Sequence, residues 1–198
     1  MIFDYPEPRS ERTHGPAGYS SYESFRPWLR DEFKFRCVYC LKRETWGQVT
    51  GEFELDHFEP QSLARERTLD YFNLVYACRR CNSVKLDQPI DDPLMLLSSD
   101  VVAVSPDGVL SSDSPAAKRL IRQIDLNSPL LRRWRVMWLR IADLARERDT
   151  ALYHQLTGFP ENLPDLGRLR PPSNFRLEGI EISWYAKRQR GQLPESYC

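Results

Sequence analysis

Asp56 and His57 stand side by side in the stretch E-L-D-H-F-E-P, residues 54–60. The chain has only 3 histidines, so one set against a carboxylate invites a chemical reading. The carboxylate oxygens suit a hard cation such as Mg²⁺. The imidazole, neutral near physiological pH, can take a proton from water. On a strand, neighbouring side chains point to opposite faces. That is awkward for two ligands of one metal, but it suits phosphodiester hydrolysis. In-line displacement needs a base behind the attacking water and a cation at the leaving oxygen, on opposite sides of the phosphorus. Asn82 can add a second oxygen ligand. Arg79, Arg80 and Lys85 lie close to it in sequence, where they can meet a nucleic-acid backbone.

Two Cys-x-x-Cys pairs bracket this stretch: Cys37-Val-Tyr-Cys40 and Cys78-Arg-Arg-Cys81. In a reducing compartment such pairs read as a tetrahedral zinc site rather than as disulfides. Four thiolates close the coordination shell, so this zinc is structural and leaves no position for substrate. It also ties residues 37 and 81 together. Asp56, His57 and Asn73 then lie inside one closed loop, and Asn82 follows directly after the last ligand. A small unit with little core of its own gains rigidity from such a metal. Cys198, the last residue, is expected to play no part.

The elements that must position these residues follow from pattern. Residues 1–18 are rich in Pro, Gly and charge and predict an irregular arm. Ser20 or Ser21 can cap a helix that runs to about Phe35. Val49 to His57 predicts a hairpin strand, with Gly47 and Gly51 as turn or bulge positions. Residues 58–72 read as loop, Asn73 to Ala77 as a short apolar strand, and Arg79 to about Lys85 as a helix. The order is that of a ββα unit. Beyond Asp91-Asp92-Pro93, a hairpin is expected around Pro106-Asp107-Gly108. Ser114-Pro115 and Ser128-Pro129 each give an N-cap with proline at the first helical position. The second of these helices is expected to reach about Leu156. Its apolar stripe, Leu130, Trp134, Met137/Trp138, Ile141 and Leu144/Ala145, is expected to face the core. From Gly158 onward loop dominates, with a short strand or helix over 179–187 and an exposed tail. The division expected is an arm at 1–18, a ββα core with its N-terminal helix at 19–90, and a hairpin plus helical extension at 91–198.

Bulk properties bound the function. The 28 basic and 28 acidic side chains cancel, so net charge alone does not select nucleic acid as a partner. The distribution is uneven, because nine basic residues face three acidic ones between Lys118 and Arg148. Such a patch can hold phosphates or can be a solvated helix face. No apolar run approaches the roughly 18 residues of a membrane span. The start, MIFDYPEPRSERTHGP, has no apolar signal region, and a cytoplasmic location is expected.

The run C-x2-C, L-D-H-F-E-P, N-L-V-Y-A-C-R-R-C-N-S-V-K resembles the HNH endonuclease family of the four-cysteine type, over about residues 37–86. The resemblance implies an α+β fold: a zinc-stabilised ββα-metal core, here with a mainly helical C-terminal extension. It implies that His57 is the general base, that Asp56 and Asn82 are ligands of a catalytic Mg²⁺ or Mn²⁺, and that Asn73 braces the loop carrying the histidine. It also implies that Cys37, Cys40, Cys78 and Cys81 hold the structural Zn²⁺. At the last metal position the chain takes the asparagine variant. A-A-K-R-L-I-R-Q-I-D-L-N with L-R-R-W-R is similar to the segment after the HNH core in nucleases of bacterial anti-phage defence modules, including those that accompany an ATPase. The expectation is a metal-dependent endonuclease that cuts DNA with little sequence specificity, as the effector of such a complex. Two alternatives stay open: an RNA nuclease, and a zinc-ribbon module that binds nucleic acid without cutting it.

Overall fold

The computed structural model describes residues 2–9, 11–46 and 52–197. Val49, Gly47, Gly51 and Cys198, for which the sequence made specific assignments, lie outside the described residues. The elements, in chain order, are β1 (Pro16–Ala17), α1 (Arg26–Glu32), β2 (Phe53–His57), β3 (Leu74–Cys78), α2 (Arg79–Lys85) and α3 (Pro93–Leu96). They continue with β4 (Ala103–Val104), β5 (Leu110–Ser111), α4 (Pro115–Gln123), α5 (Pro129–Arg148) and α6 (Thr150–Thr157). The chain closes with β6 (Ser173–Asn174), α7 (Glu178–Glu181) and α8 (Trp184–Gln189).

β2 and β3 pair antiparallel with Phe53 opposite Cys78 and His57 opposite Leu74. α2 follows β3 without a gap, because Cys78, in extended backbone, serves as its N-cap. This is the ββα order read from the sequence, inside an α+β fold. The helix expected from Ser20 or Ser21 to Phe35 is shorter. A single 3-10 turn over Tyr22–Phe25 precedes α1, in which Pro27 occupies the first turn. α1 stops at Glu32 because Lys34 and Phe35 are left-handed, at φ 52° and 54°.

The hairpin at Pro106-Asp107-Gly108 forms as β4 and β5. Gly108 has φ 77° and packs so close to α5 that a Cβ there would lie 2.7 Å from the Arg132 carbonyl oxygen. Ser114 and Ser128 cap α4 and α5 by accepting from Ala117 N and Leu131 N, both at 3.3 Å. The helix expected to continue to Leu156 is instead split. Asp149 leaves helical geometry at φ −151°, and its carboxylate accepts from Leu152 N at 2.9 Å, starting α6.

The face that α5 buries differs from the stripe read in the sequence. Leu131, Arg135, Leu139, Ala142 and Ala145 are the buried positions. Trp134 and Trp138 pack partly against the core, Trp138 stacked on Trp46 at 4.4 Å. Leu130, Met137, Ile141 and Leu144 are exposed. The apolar residues cover so wide an arc that periodicity alone mistook one edge for the centre, and a buried arginine in the middle of the true core face hid it.

The ends of the chain are also drawn in. Ile2, Phe3 and Tyr5 are buried, and Phe3 packs edge-on against Trp46 and Trp134. β1 pairs with β6, which joins the N-terminal arm to the C-terminal stretch. The tail was expected to be exposed, yet Tyr197 is buried. Arg43 reaches the carbonyls of Thr157 and Tyr197 at 2.8 and 2.5 Å and stacks over the Tyr197 ring. Arg135 likewise takes the carbonyls of Gly108 and Leu126 at 2.7 and 2.5 Å. Buried guanidiniums thus satisfy carbonyls at helix ends and turns that would otherwise be orphaned. Among the described residues, no helix is long and apolar enough to cross a membrane.

Candidate active site and metal centre

The four cysteines converge. The first knuckle is a tight turn in which Cys37 N donates to Lys42 O at 2.8 Å and Leu41 is left-handed at φ 61°. The second is the β3–α2 corner, with Cys78 at the strand end and Cys81 in the first turn of the helix. All four Sγ atoms lie within 4.8 Å of one another, all four residues are buried, and none forms a disulfide. Cys40 and Cys78 Sγ are 3.6 Å apart. A tetrahedron with Zn–S bonds of about 2.3 Å has edges of about 3.8 Å, so the spacing fits zinc. Hydrogen bonds from Cys37, Cys40 and Cys81 hold the Cys78 thiol far below its ordinary range.

β2 carries Asp56 and His57 on opposite faces, as its alternation requires. Asp56 is 4% exposed and both of its oxygens are engaged. Tyr39 OH donates to Oδ2 at 2.5 Å, and Lys85 Nζ donates to Oδ1 at 3.0 Å. Lys85 Nζ also donates to the His57 carbonyl at 2.7 Å. Burial and the neighbouring Asp56 push the Tyr39 hydroxyl well above its ordinary pKa, so it remains a donor.

His57 lies 2.9 Å through Nε2 from the Thr68 carbonyl. A carbonyl only accepts, so Nε2 carries the proton and Nδ1 keeps its lone pair. The Gln61 amide nitrogen stands 3.2 Å from Nε2 and 3.3 Å from Nδ1; with Nε2 protonated its acceptor is the Nδ1 lone pair, and the Tyr22 ring lies edge-on at 5.0 Å. Burial lowers the His57 pKa below the usual imidazole value. The neutral base is therefore the dominant form near neutrality.

Asn73 is fully buried behind the histidine. Its Oδ1 accepts from Glu59 N and its Nδ2 donates to Glu59 O, both at 3.0 Å. This two-point clamp holds the loop just past His57. Asn82 Nδ2 donates to Glu54 Oε2 at 2.6 Å. Its side-chain amide oxygen, Oδ1, has no hydrogen-bond partner among the described residues and is an available hard ligand. Asp56, His57, Gln61, Asn82 and Lys85 line one cleft of about 330 Å³. A carboxylate and a free amide oxygen at one cleft are a donor set that suits Mg²⁺ or Mn²⁺.

The three cations expected to touch nucleic acid are placed differently. Arg79 is 73% exposed, with Glu54 3.8 Å away. Arg80 reaches over to the α4–α5 turn, donating to Ile124 O at 2.8 Å and pairing with Asp125 at 3.0 Å. Lys85 is 1% exposed. The expectation that Lys85 meets a phosphate is corrected: its ammonium is spent on Asp56 and the His57 carbonyl, out of reach of a ligand. Sequence reasoning missed Tyr39 as a site residue, although its place inside the first Cys-x-x-Cys was a signal that it must sit beside the metal-closed unit.

Residues 37–88 match the HNH endonuclease family. No curated protein matches the chain. The HNH segment covers both knuckles, β2, β3 and α2, so Tyr39, Asp56, His57, Asn73 and Asn82 all lie inside it. The match supports a nuclease of the HNH type, a hydrolase whose substrate is nucleic acid.

Proposed function

We propose that this chain is a metal-dependent endonuclease that hydrolyses DNA phosphodiester bonds with little sequence specificity. The observation that carries this reading is the neutral His57 with an unprotonated Nδ1, set at the same cleft as Asp56 and Asn82. A nucleic-acid-binding module has no use for such a base.

In this reading Asp56 and Asn82 would hold a divalent cation, which when bound supplies charge stabilisation at the leaving oxygen. His57 takes the proton of the attacking water at Nδ1. Thr68 holds the ring in the tautomer that allows this, as the carbonyl partner of Nε2. Asn73 fixes the loop beside the base, and Tyr39 with Lys85 aims the Asp56 carboxylate. One such cleft makes one strand cut, so a double-strand break needs two visits or two copies. The resemblance of residues 116–135 to defence nucleases supports a role as the effector of an anti-phage complex, in the cytoplasm. The division at residues 18 and 90 into arm, nuclease core and extension belongs to the same proposal.

The test is incubation of the purified protein with supercoiled plasmid and Mg²⁺ or Mn²⁺, beside His57→Ala. The expected result is nicking by the wild type and none by the variant, with zinc content unchanged. Equal cleavage by both would overturn the assignment of the base. Binding without cleavage, with zinc in place and Mn²⁺ bound, would favour the binding module. Cleavage of RNA alone would move the substrate class.

A further inference from the structure

The face of α5 turned away from the core is apolar over most of its length. Leu130 is 74% exposed, Met137 48%, Ile141 37% and Leu144 60%. Together with half-buried Trp134, these positions advance by four, three, four and three residues. That is the spacing of a seam that receives another helix. At 1.5 Å per residue it extends for about 21 Å. A monomeric protein seldom leaves a contiguous stripe of large apolar side chains in water unless something covers it.

The two edges of the seam are not alike. One edge, through Trp138 and Ala145, turns into the core. The other carries Arg133 and Arg140, neither of which pairs with an acid among the described residues. A groove of about 580 Å³ lies along this edge, between α5 and Asp107 of the β4–β5 turn, with Val136, Met137 and Ile141 as its apolar floor. The open edge is thus cationic and unneutralised beside an unburied apolar seam.

We propose that this face of α5 docks an amphipathic helix of a partner protein whose flanking residues are acidic. The apolar seam supplies the burial, and Arg133 and Arg140 supply the charge that selects the partner and its orientation. A second copy of this chain is a poorer occupant. When two α5 helices lie antiparallel over their full length, the two-fold passes between Trp138 and Leu139, and the two Arg140 residues on the shared edge stand only about 4.5 Å apart along it, like charge beside like. A parallel pair would need the edge that is already buried. Nucleic acid accounts for the arginines and leaves four apolar side chains in water.

The full-length protein can be tested with two synthetic peptides of about 18 residues that share one leucine seam. One carries glutamate along its flanks and the other lysine, and binding is followed by fluorescence anisotropy. The acidic peptide should bind at least about tenfold tighter than its basic twin. The Arg133→Glu/Arg140→Glu double variant should reverse that order, and Leu144→Asp should weaken both peptides. These side chains are exposed, so zinc content and melting temperature serve as controls for folding. Equal binding of the two peptides, no binding, or indifference to Leu144→Asp would overturn the proposal. So would a dimer in sedimentation that Leu144→Asp dissolves, which would make a second copy the occupant. A DNA duplex that displaces the acidic peptide from the wild type and fails to bind the double variant would assign the arginines to phosphate and overturn it too.

Discussion

Tyr39→Phe deletes one oxygen from the molecule and separates aim from chemistry. Tyr39 is fully buried, and its hydroxyl is 2.5 Å from Asp56 Oδ2. Phenylalanine fills the same ring volume, so packing is kept. Oδ2 loses its donor while the residue stays 4% exposed. A hydrogen bond to a charged acceptor contributes about 1.5–3 kcal/mol, and a buried carboxylate oxygen left unpaired costs a similar amount. For a chain of this length each kcal/mol moves the melting point by about 2–4 °C. A fall of about 3–12 °C follows.

The effect on chemistry is separable from that on stability. Tyr39 is not itself a zinc ligand, so zinc content measured by mass spectrometry should be unchanged. Asp56 keeps Lys85 as its one remaining partner and gains freedom to rotate. Groups that orient a metal ligand typically contribute about 10–100-fold in metal affinity or activity. Below the new melting temperature, Mn²⁺ affinity by calorimetry and plasmid nicking should both fall within that range. His57→Ala, by contrast, should lose nicking and keep Mn²⁺ affinity. A Tyr39→Phe protein that nicks at the wild-type rate with wild-type Mn²⁺ affinity would refute the argument that Tyr39 aims Asp56.

Cys40→Ser removes one of four converging thiolates, so zinc content and solubility should both drop. A stable, folded, zinc-free variant would show that the knuckles are not a structural zinc site. Lys34 is crowded by burial and by Arg36, Arg9 and Lys187, which lowers its pKa from 10.5 to about 8. Between those two values the unfolded chain binds the extra proton, so stability should rise with pH across that window. Lys34→Met should flatten the rise and add about 1–2 kcal/mol near neutrality after a discount for solvent screening, read from urea midpoints. Parallel pH profiles for wild type and variant would contradict it.

The parts of the site that were legible in the sequence are those fixed by local spacing. Two Cys-x-x-Cys pairs around an Asp-His already required a closed loop, and the alternation of β2 required the two side chains to diverge. Asn73 could be placed because it sits at the start of a strand facing that loop. Lys85 was misread because composition knows a lysine only as a cation. Its position six residues into a helix packed beneath β2 decides that it points inward, and that packing is tertiary. Tyr39 is the same case in reverse: a hydrophobe between two cysteines reads as core until Asp56 is found against its hydroxyl. The rotated stripe of α5 failed for a third reason. Arg135 is buried because it caps the carbonyls of Gly108 and Leu126, residues brought near by the β4–β5 hairpin and the α4–α5 turn.

Asp56 is gripped from both halves of the zinc site. Tyr39 comes from the first knuckle, between Cys37 and Cys40, and its own carbonyl is pinned by the Tyr5 hydroxyl at 2.5 Å. Lys85 comes from the helix that begins at the second knuckle, in which Cys81 is buried. The four thiolates fix these two donors relative to each other without touching the reacting atoms. A zinc that only stabilised the fold would leave the carboxylate to find its own orientation. In the proposed site, zinc on these four thiolates would set the distance between the two groups that aim it. Chelation of zinc should therefore cost Mn²⁺ affinity at least as much as Tyr39→Phe does, even while β2 and β3 stay paired. The same logic gives the buried Lys85 a part in the proposed site, beneath the Asp56 carboxylate. An apolar residue at 85 would leave Asp56 Oδ1 and the His57 carbonyl without the donor they now share.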